Sequence, residues 1–369
     1  MTTPDPQSLS DLGIWEQYCE TLKRAGQQIF RPGAPTSDFD RAEGFRYLTR
    51  LIRIALEMHV EHGDPDFPTF MHPSHETGKI GSDNPDNIYL STRLDGRHEY
   101  RVSGQRGEAV VLNFATKKGG YANRDCRMGG SGFLDATQMQ FAADGSFELI
   151  LSQRPHPGNW LPMDDDTNQL LVRETFLDRT TQQPARITIE RIGAGPQPQP
   201  LDPAKFPDML LRAGRFVENT ARTFADWALN CSTRVNQLAA GDQAELQASG
   251  GDPNIYYYLG YWSLAEDEAL VVDVERIPDC DFWNFQVNNF WMESLDYRYH
   301  RIHLNNRSAS LNARGGVTMI VAHRDPGLPN WLETTGHRLG TMNFRWIGAQ
   351  EHVQPTTRVV KLDELATWA

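Results

Sequence analysis

The run His323-Arg324-Asp325-Pro326-Gly327, followed by Asn330-Trp331 and Gly336-His337-Arg338, holds the residue types that acid/base chemistry needs. An imidazole changes charge near neutral pH, a carboxylate can orient it, and a guanidinium can polarise a carbonyl or carboxylate. His323 and His337 are read as the acid/base pair, Asp325 as the orienting group and Arg307 as the electrophilic partner. Arg324, Asn330 and Trp331 would line the same opening as substrate contacts. The competing reading is structural: Asp-Pro-Gly is turn chemistry, and a His at a strand end is more often a hydrogen-bonded structural residue.

A second candidate is Asp281-Phe-Trp-Asn-Phe-Gln-Val-Asn-Asn-Phe-Trp-Met-Glu-Ser294. As a strand it places Trp283, Phe285 and Val287 on one face and Asn284, Gln286 and Asn288 on the other. Amides turned inward require partners, so Trp283, Asn284 and Asn288 are read as ligand contacts. Turned outward they are only solvated. His300 and His303, three apart on a strand, point to opposite faces and do not make a metal site alone. Asp164-Asp165-Asp166 lacks the spaced oxygens of a calcium loop. His75, Glu76 and Lys79 sit on a loop before the first strand, with nothing diagnostic in their spacing. There is no nucleophile elbow, Walker loop, dinucleotide fingerprint or His-Glu-x-x-His. No organic cofactor and no metal are expected.

The elements that must position these residues repeat. Phe147–Leu161 and Val317–Leu332 each read as a short β-prone run, an Arg, Pro/Gly punctuation and then Asn-Trp-Leu. Asn87-Ile88-Tyr89 and Asn254-Ile255-Tyr256 open the two halves at nearly the same offset. Collinear matches of this kind indicate a duplicated β module. In the second copy, Val317 to Ala322 is apolar apart from Thr318, so its strand should be buried on both faces. Arg307 is then expected on the hairpin partner strand, near His323.

Two helices should precede the modules. Ile14, Trp15, Tyr18, Cys19, Leu22, Ala25 and Ile29 hold helical spacing. Ser37 and Asp40 cap a second helix carrying Phe45, Tyr47, Leu48, Leu51, Ile54 and Ala55, which should lie between layers. Gly195-Pro-Gln-Pro-Gln-Pro200 is a linker by composition, and Met209 to Ala228 is a further amphipathic helix. The expected fold is α+β: duplicated antiparallel, sandwich-like β modules with N-terminal helices and a helical connection. The divisions fall at 1–80, 81–194, 195–253, 254–350 and 351–369, the last a polar tail. Whether the modules form one sandwich or two is left open.

With 36 Lys+Arg against 48 Asp+Glu in 369 residues, the net charge is −12. An acidic chain of this kind disfavours nucleic acid. No apolar run is long enough for a membrane span, the first residues lack a signal peptide's blocks, and four scattered cysteines suit a reducing compartment. A cytoplasmic setting is expected.

Asp83-Asn-Pro-Asp-Asn-Ile-Tyr89, with His75-Glu76-Thr77 before it, resembles bacterial proteins of domain-of-unknown-function family twelve-fourteen. So do Leu304-Asn305, Val321-Ala-His-Arg-Asp-Pro-Gly327, Pro329-Asn-Trp-Leu332, Gly336-His337 and Arg345-Trp346. Family twelve-fifty-four is a β-rich sister. The resemblance implies a β-sandwich protein and supplies no catalytic roles; many relatives come from organisms that degrade aromatic, terpenoid or steroid compounds. The leading expectation is an enzyme without an organic cofactor, acting by acid/base chemistry on a lipophilic or aromatic small molecule as a hydrolase, lyase or isomerase. The alternatives are a non-catalytic small-molecule or carbohydrate-binding sandwich, and a structural subunit of a homo-oligomer.

Overall fold

The structure, a computed structural model, describes residues 9, 11–365 and 367. The readings of residues 1–8 as a disordered start without signal-peptide blocks lie outside them. The first module contains β1 (Asn87–Arg93), β2 (Tyr100–Gln105), β3 (Val111–Gly119), β4 (Met128–Asp135), β5 (Ser146–Ser152), β6 (Trp160–Pro162), β7 (Thr167–Thr175) and β8 (Arg186–Arg191). After β9 (Gln237–Ala240), the second contains β10 (Ile255–Ser263), β11 (Glu268–Val274), β12 (Phe282–Val287), β13 (His303–Asn305), β14 (Val317–Ala322), β15 (Trp331–Glu333), β16 (Leu339–Ile347) and β17 (Thr356–Lys361).

The strand orders match. Sheets β1-β7-β3-β4 and β6-β5-β2-β8 of the first module recur as β10-β16-β12-β13 and β15-β14-β11-β17. Each module is its own sandwich: Tyr100, Val102, Phe114, Leu149 and Val172 share one core, and Trp262, Val272, Phe285, Met319 and Phe344 share the other. Even the unusual parallel pairings recur, β5 with β6 and β14 with β15. The opening tripeptides, however, are matched one residue out of register. Tyr89 and Tyr257 are the equivalent tyrosines, each accepting a backbone N–H from five residues upstream, Asn84 (3.1 Å) and Asp252 (3.2 Å). The polar C-terminal stretch is not a free tail: β17 pairs with β11, and Leu365 is buried.

Helices α1 (Gly13–Gly26), α2 (Asp38–Leu56) and α3 (Phe206–Cys231) pack as a layer against the second module, with α4 (Gln243–Ala248) following later. Ser37 caps α2 by accepting from the Asp40 N–H, and Tyr47, Leu51, Ile54 and Ala55 form its buried stripe. Trp15 and Phe45, which helical spacing assigned to apolar faces, are exposed instead. After Leu56 the helix widens into one π-turn, Glu57–Glu61, which swings His59 inward. Such turns recur at functional sites. Arg50 of α2 reaches the buried Glu293 carboxylate at 2.6 Å and ties the helices to the second module. No helix among the described residues is long and apolar enough to cross a membrane.

Candidate functional site

The outer faces of sheets β1-β7-β3-β4 and β10-β16-β12-β13 look toward each other, and their central residues match. Arg173 on β7 lies between Tyr89 and Asn113; Arg345 on β16 lies between Tyr257 and Asn284. Each Arg reaches into the loop that opens the other module. Arg345 donates to the Ser82 carbonyl (2.6 Å), and Arg173 to the Gly250 carbonyl. The asparagines do the same: Asn284 donates to Asn84 Oδ1 (2.6 Å) and Asn113 to Asp252 Oδ2 (2.7 Å). The two modules therefore clasp each other with pseudo-twofold reciprocity. The loop must pass α3 closely: Gly81 has φ +59°, and a Cβ there would stand 2.4 Å from the Phe224 ring.

Beside this clasp is a cavity of about 180 Å³. The first module contributes Tyr89, Arg93, Gln169 and Leu171; the second contributes Tyr257, Leu259 and Asn343. Phe216, Phe224 and Trp227 of α3 cover it, with Met58 and His59 from the π-turn at one side. The wall is apolar in bulk yet carries polar atoms with no hydrogen-bond partner among the described residues: both His59 ring nitrogens, Asn84 Nδ2, Asn87 Oδ1 and Arg173 Nη1. A buried polar atom without a partner costs about 1–3 kcal/mol, so such atoms concentrate where something other than packing is selected. Burial, and then the charges of Arg93, Arg212 and Arg215, push the His59 pKa well down, so its ring is neutral at neutral pH. Arg93 is pushed down to about 10 by burial and remains a cation. Lys117, beside Arg173, is pushed down to about 8, chiefly by burial.

The residues chosen from sequence fall elsewhere, and none of them lines this cavity. His323 is held by Thr334 Oγ1 (2.7 Å) and the Leu264 carbonyl (3.2 Å). His337 is buried against Phe39, ring centroids 4.8 Å apart, with Nδ1 near the Thr334 carbonyl. Asp325 caps its own turn through the Gly327 N–H (2.8 Å), and Arg324 is exposed. Arg307 does not sit on a hairpin partner of β14. It follows β13, which pairs with β12 in the other sheet, and faces Asp178 of the first module at 3.7 Å. Asn330 and Trp331 are joints of the fold. Asn330 bonds the Ser310 and Thr318 carbonyls, Trp331 bonds the Ala322 carbonyl, and Asn159 and Trp160 make the matching bonds in the first module.

Trp283 stacks on Phe344 inside the second sandwich. Asn284 and Asn288 are indeed turned inward, but their partners are protein groups: Asn84 and Asp86 for the first, Ser82, Thr341 and Asn343 for the second. The cavity residues were missed because they alternate with core residues on outer faces, which period-two patterning assigns to solvent. One signal was available: Arg173 and Glu174 directly follow the apolar run Leu170-Leu171-Val172 within one β-prone stretch. Among the described residues no group of three or more His, Cys, Asp or Glu side chains is placed to hold a metal ion.

A duplicated pair of antiparallel sandwiches, clasped through reciprocal arginines under a helical layer, defines the class. The profile of the family described as protein of unknown function (DUF1214) matches residues 90–174, the body of the first module. This stretch of the chain is similar to that family. The whole chain is similar over 96% of its length to an uncharacterized protein from Burkholderia cenocepacia, with 58% identity, 98% of that chain covered and a TM-score of 0.94. The VPA0106 protein from Vibrio parahaemolyticus aligns over 92% of this chain and 100% of its own, at 13% identity and a TM-score of 0.48. Comparison with curated proteins finds no match.

Proposed function

We propose that the chain binds a small lipophilic or aromatic molecule in the cavity between its modules, in a cytoplasmic setting that suits its four free cysteines. The observation that carries this reading is the wall itself, apolar in bulk but set with unpartnered polar atoms from His59, Asn84, Asn87 and Arg173. Binding sites combine an apolar lining with a few convergent polar groups in this way. Size narrows the ligand. An apolar cavity of about 150 Å³ accepts benzene, so this one suits a single ring or a short branched chain, not a fused polycycle. Leu171 projects from the middle of β7 into the space, and Leu171→Trp should fill it. Titration of the full chain with single-ring and short-chain probes, followed by Trp227 fluorescence or calorimetry, should show saturable binding. The variant should bind at least tenfold more weakly while melting within a few degrees of wild type. Unchanged affinity in Leu171→Trp would place the ligand elsewhere.

A second reading, catalysis on the bound molecule, is favoured by His59. A neutral imidazole in the cavity wall, both of its nitrogens without a hydrogen-bond partner among the described residues, is available as a general base. Once a ligand is known, His59→Gln should retain its binding and lower any turnover by about 10²-fold or more. Turnover that survives His59→Gln excludes this role.

A further inference from the structure

The charges around the cavity are strongly unequal. Its wall carries the guanidiniums of Arg93, Arg173, Arg212 and Arg345 and a single carboxylate, Asp83. That carboxylate is already engaged, accepting from the Ser294 backbone N–H (3.0 Å) and hydroxyl (2.8 Å). We infer that the ligand is an organic anion whose carboxylate-like group sits at the end of the cavity formed by Arg93, His59 and Arg212, with its ring or chain lying against Phe216 and Leu259. This inference rests on the cavity being the binding site and adds the charge and orientation of what it holds.

The four arginines are not equivalent. Arg345 is consumed by the clasp, donating to the Ser82 carbonyl, Gln286 Oε1 and Asn284 Oδ1. Arg173 is partly consumed, donating to the Gly250 carbonyl with Asp252 4.0 Å from its other nitrogen. Arg93, in contrast, makes no hydrogen bond or ion pair among the described residues. It ends β1 on the cavity face, where its strand neighbour is Gln169. Asp208, the carboxylate that acts on it from a distance, is bridged by Arg212 (2.9 Å) and Arg215 (3.3 Å). A half-buried guanidinium with its donors unused by the protein is costly, and a planar carboxylate is the group its fork geometry fits. His59 adds a neutral ring with a free N–H at the same end, its centroid 5.6 Å from that of Phe216. The Arg212 side chain is 36% exposed, so this end of the cavity reaches solvent, where an anion can enter. Burial disfavours the charged form but lowers the Arg93 pKa only to about 10, so the guanidinium stays protonated throughout the neutral range.

The test uses matched acids and amides of cavity size on the full chain: benzoate with benzamide, cyclohexanecarboxylate with its amide, and octanoate with octanamide. Affinities come from calorimetry or ligand-observed NMR on wild type, Arg93→Met and Arg93→Lys. In wild type at least one acid should bind tenfold or more tightly than its amide. Arg93→Met should bring that ratio close to one while amide binding persists, and Arg93→Lys should restore part of it. The melting temperature of Arg93→Met should equal or exceed that of wild type, because an unpaired half-buried charge has been removed. Equal binding of acid and amide by wild type overturns this inference and leaves the cavity reading standing. Failure of every probe to bind overturns both. A lower melting temperature with acid and amide binding lost in proportion would give Arg93 a structural role and likewise overturn the inference.

Discussion

Arg345→Met lowers the folding free energy by about 3–5 kcal/mol, and Arg173→Met by about 1–3 kcal/mol, in urea unfolding of the full chain. The two arginines are equivalent in the duplicated fold, so the difference isolates what each has been made to do. Arg345 is buried and satisfies three acceptors, Ser82 O (2.6 Å), Gln286 Oε1 (2.6 Å) and Asn284 Oδ1 (3.3 Å). Methionine keeps the volume of the stem but leaves those acceptors without donors in a region closed to water, each costing about 1–3 kcal/mol. Arg173 donates a hydrogen bond to the Gly250 carbonyl alone, and its Nη1 has no hydrogen-bond partner among the described residues, with Asp252 4.0 Å away. Losing it removes fewer hydrogen bonds, and only a long 4.0 Å ion pair with Asp252 goes with them. Equal costs for the two substitutions, or a larger one for Arg173, would mean that the clasp is not held mainly through the second module's arginine.

Glu174→Gln should abolish a pH dependence of stability worth about 3 kcal/mol between pH 4.5 and 7. Glu174 is buried at the end of β7. Its Oε2 accepts the Ala185 N–H (2.8 Å), and its Oε1 has no hydrogen-bond partner among the described residues. Burial raises its pKa from 4.5 to about 7, offset only slightly by the Ala185 bond. The sign follows from the protonated form being favoured when folded. Its contribution is fully present below the unfolded pKa and is lost as pH rises through about 7. Wild type should therefore lose stability from pH 4.5 to 7.5 relative to Glu174→Gln, whose amide cannot ionise. Taking the difference between the two proteins cancels every other titrating group. Parallel stability curves across that range would show that the carboxyl ionises without penalty. The equivalent residue in the second module is Trp346, fully buried in its sandwich, so an acid is not what the fold requires at this position.

Catalysis was expected at the His323 cluster because residue type and local spacing are all that a linear chain displays. The structure explains those residues one at a time. His323 bonds Thr334 and Leu264, Asp325 caps a turn, and Asn330 and Trp331 lock β14 to β15 in both copies of the module. A motif repeated in both halves is therefore a mark of shared architecture, and Asn159 and Trp160 make the same bonds in the first module. The glycine-rich β4, Met128–Asp135, escaped notice as a strand for a related reason: Gly129, Gly130 and Gly132 have little strand propensity, and pairing with β3 holds them there.

By itself, the sequence determined what depends on near neighbours and on period. The duplication, the alternating strands with tight turns, the capped start of α2 and the amphipathic α3 follow from residue order and local backbone chemistry. The tertiary structure alone decided the candidate site. His59, Arg93, Arg173 and Arg345 come from a π-turn and three strands, and all four strand-borne or turn-borne side chains face away from a sandwich core. Alternation tells which residues leave a core, but not whether they then meet water or another surface. That depends on the docking of one module against the other and of α3 across both, a matter of long-range contacts that no local pattern encodes.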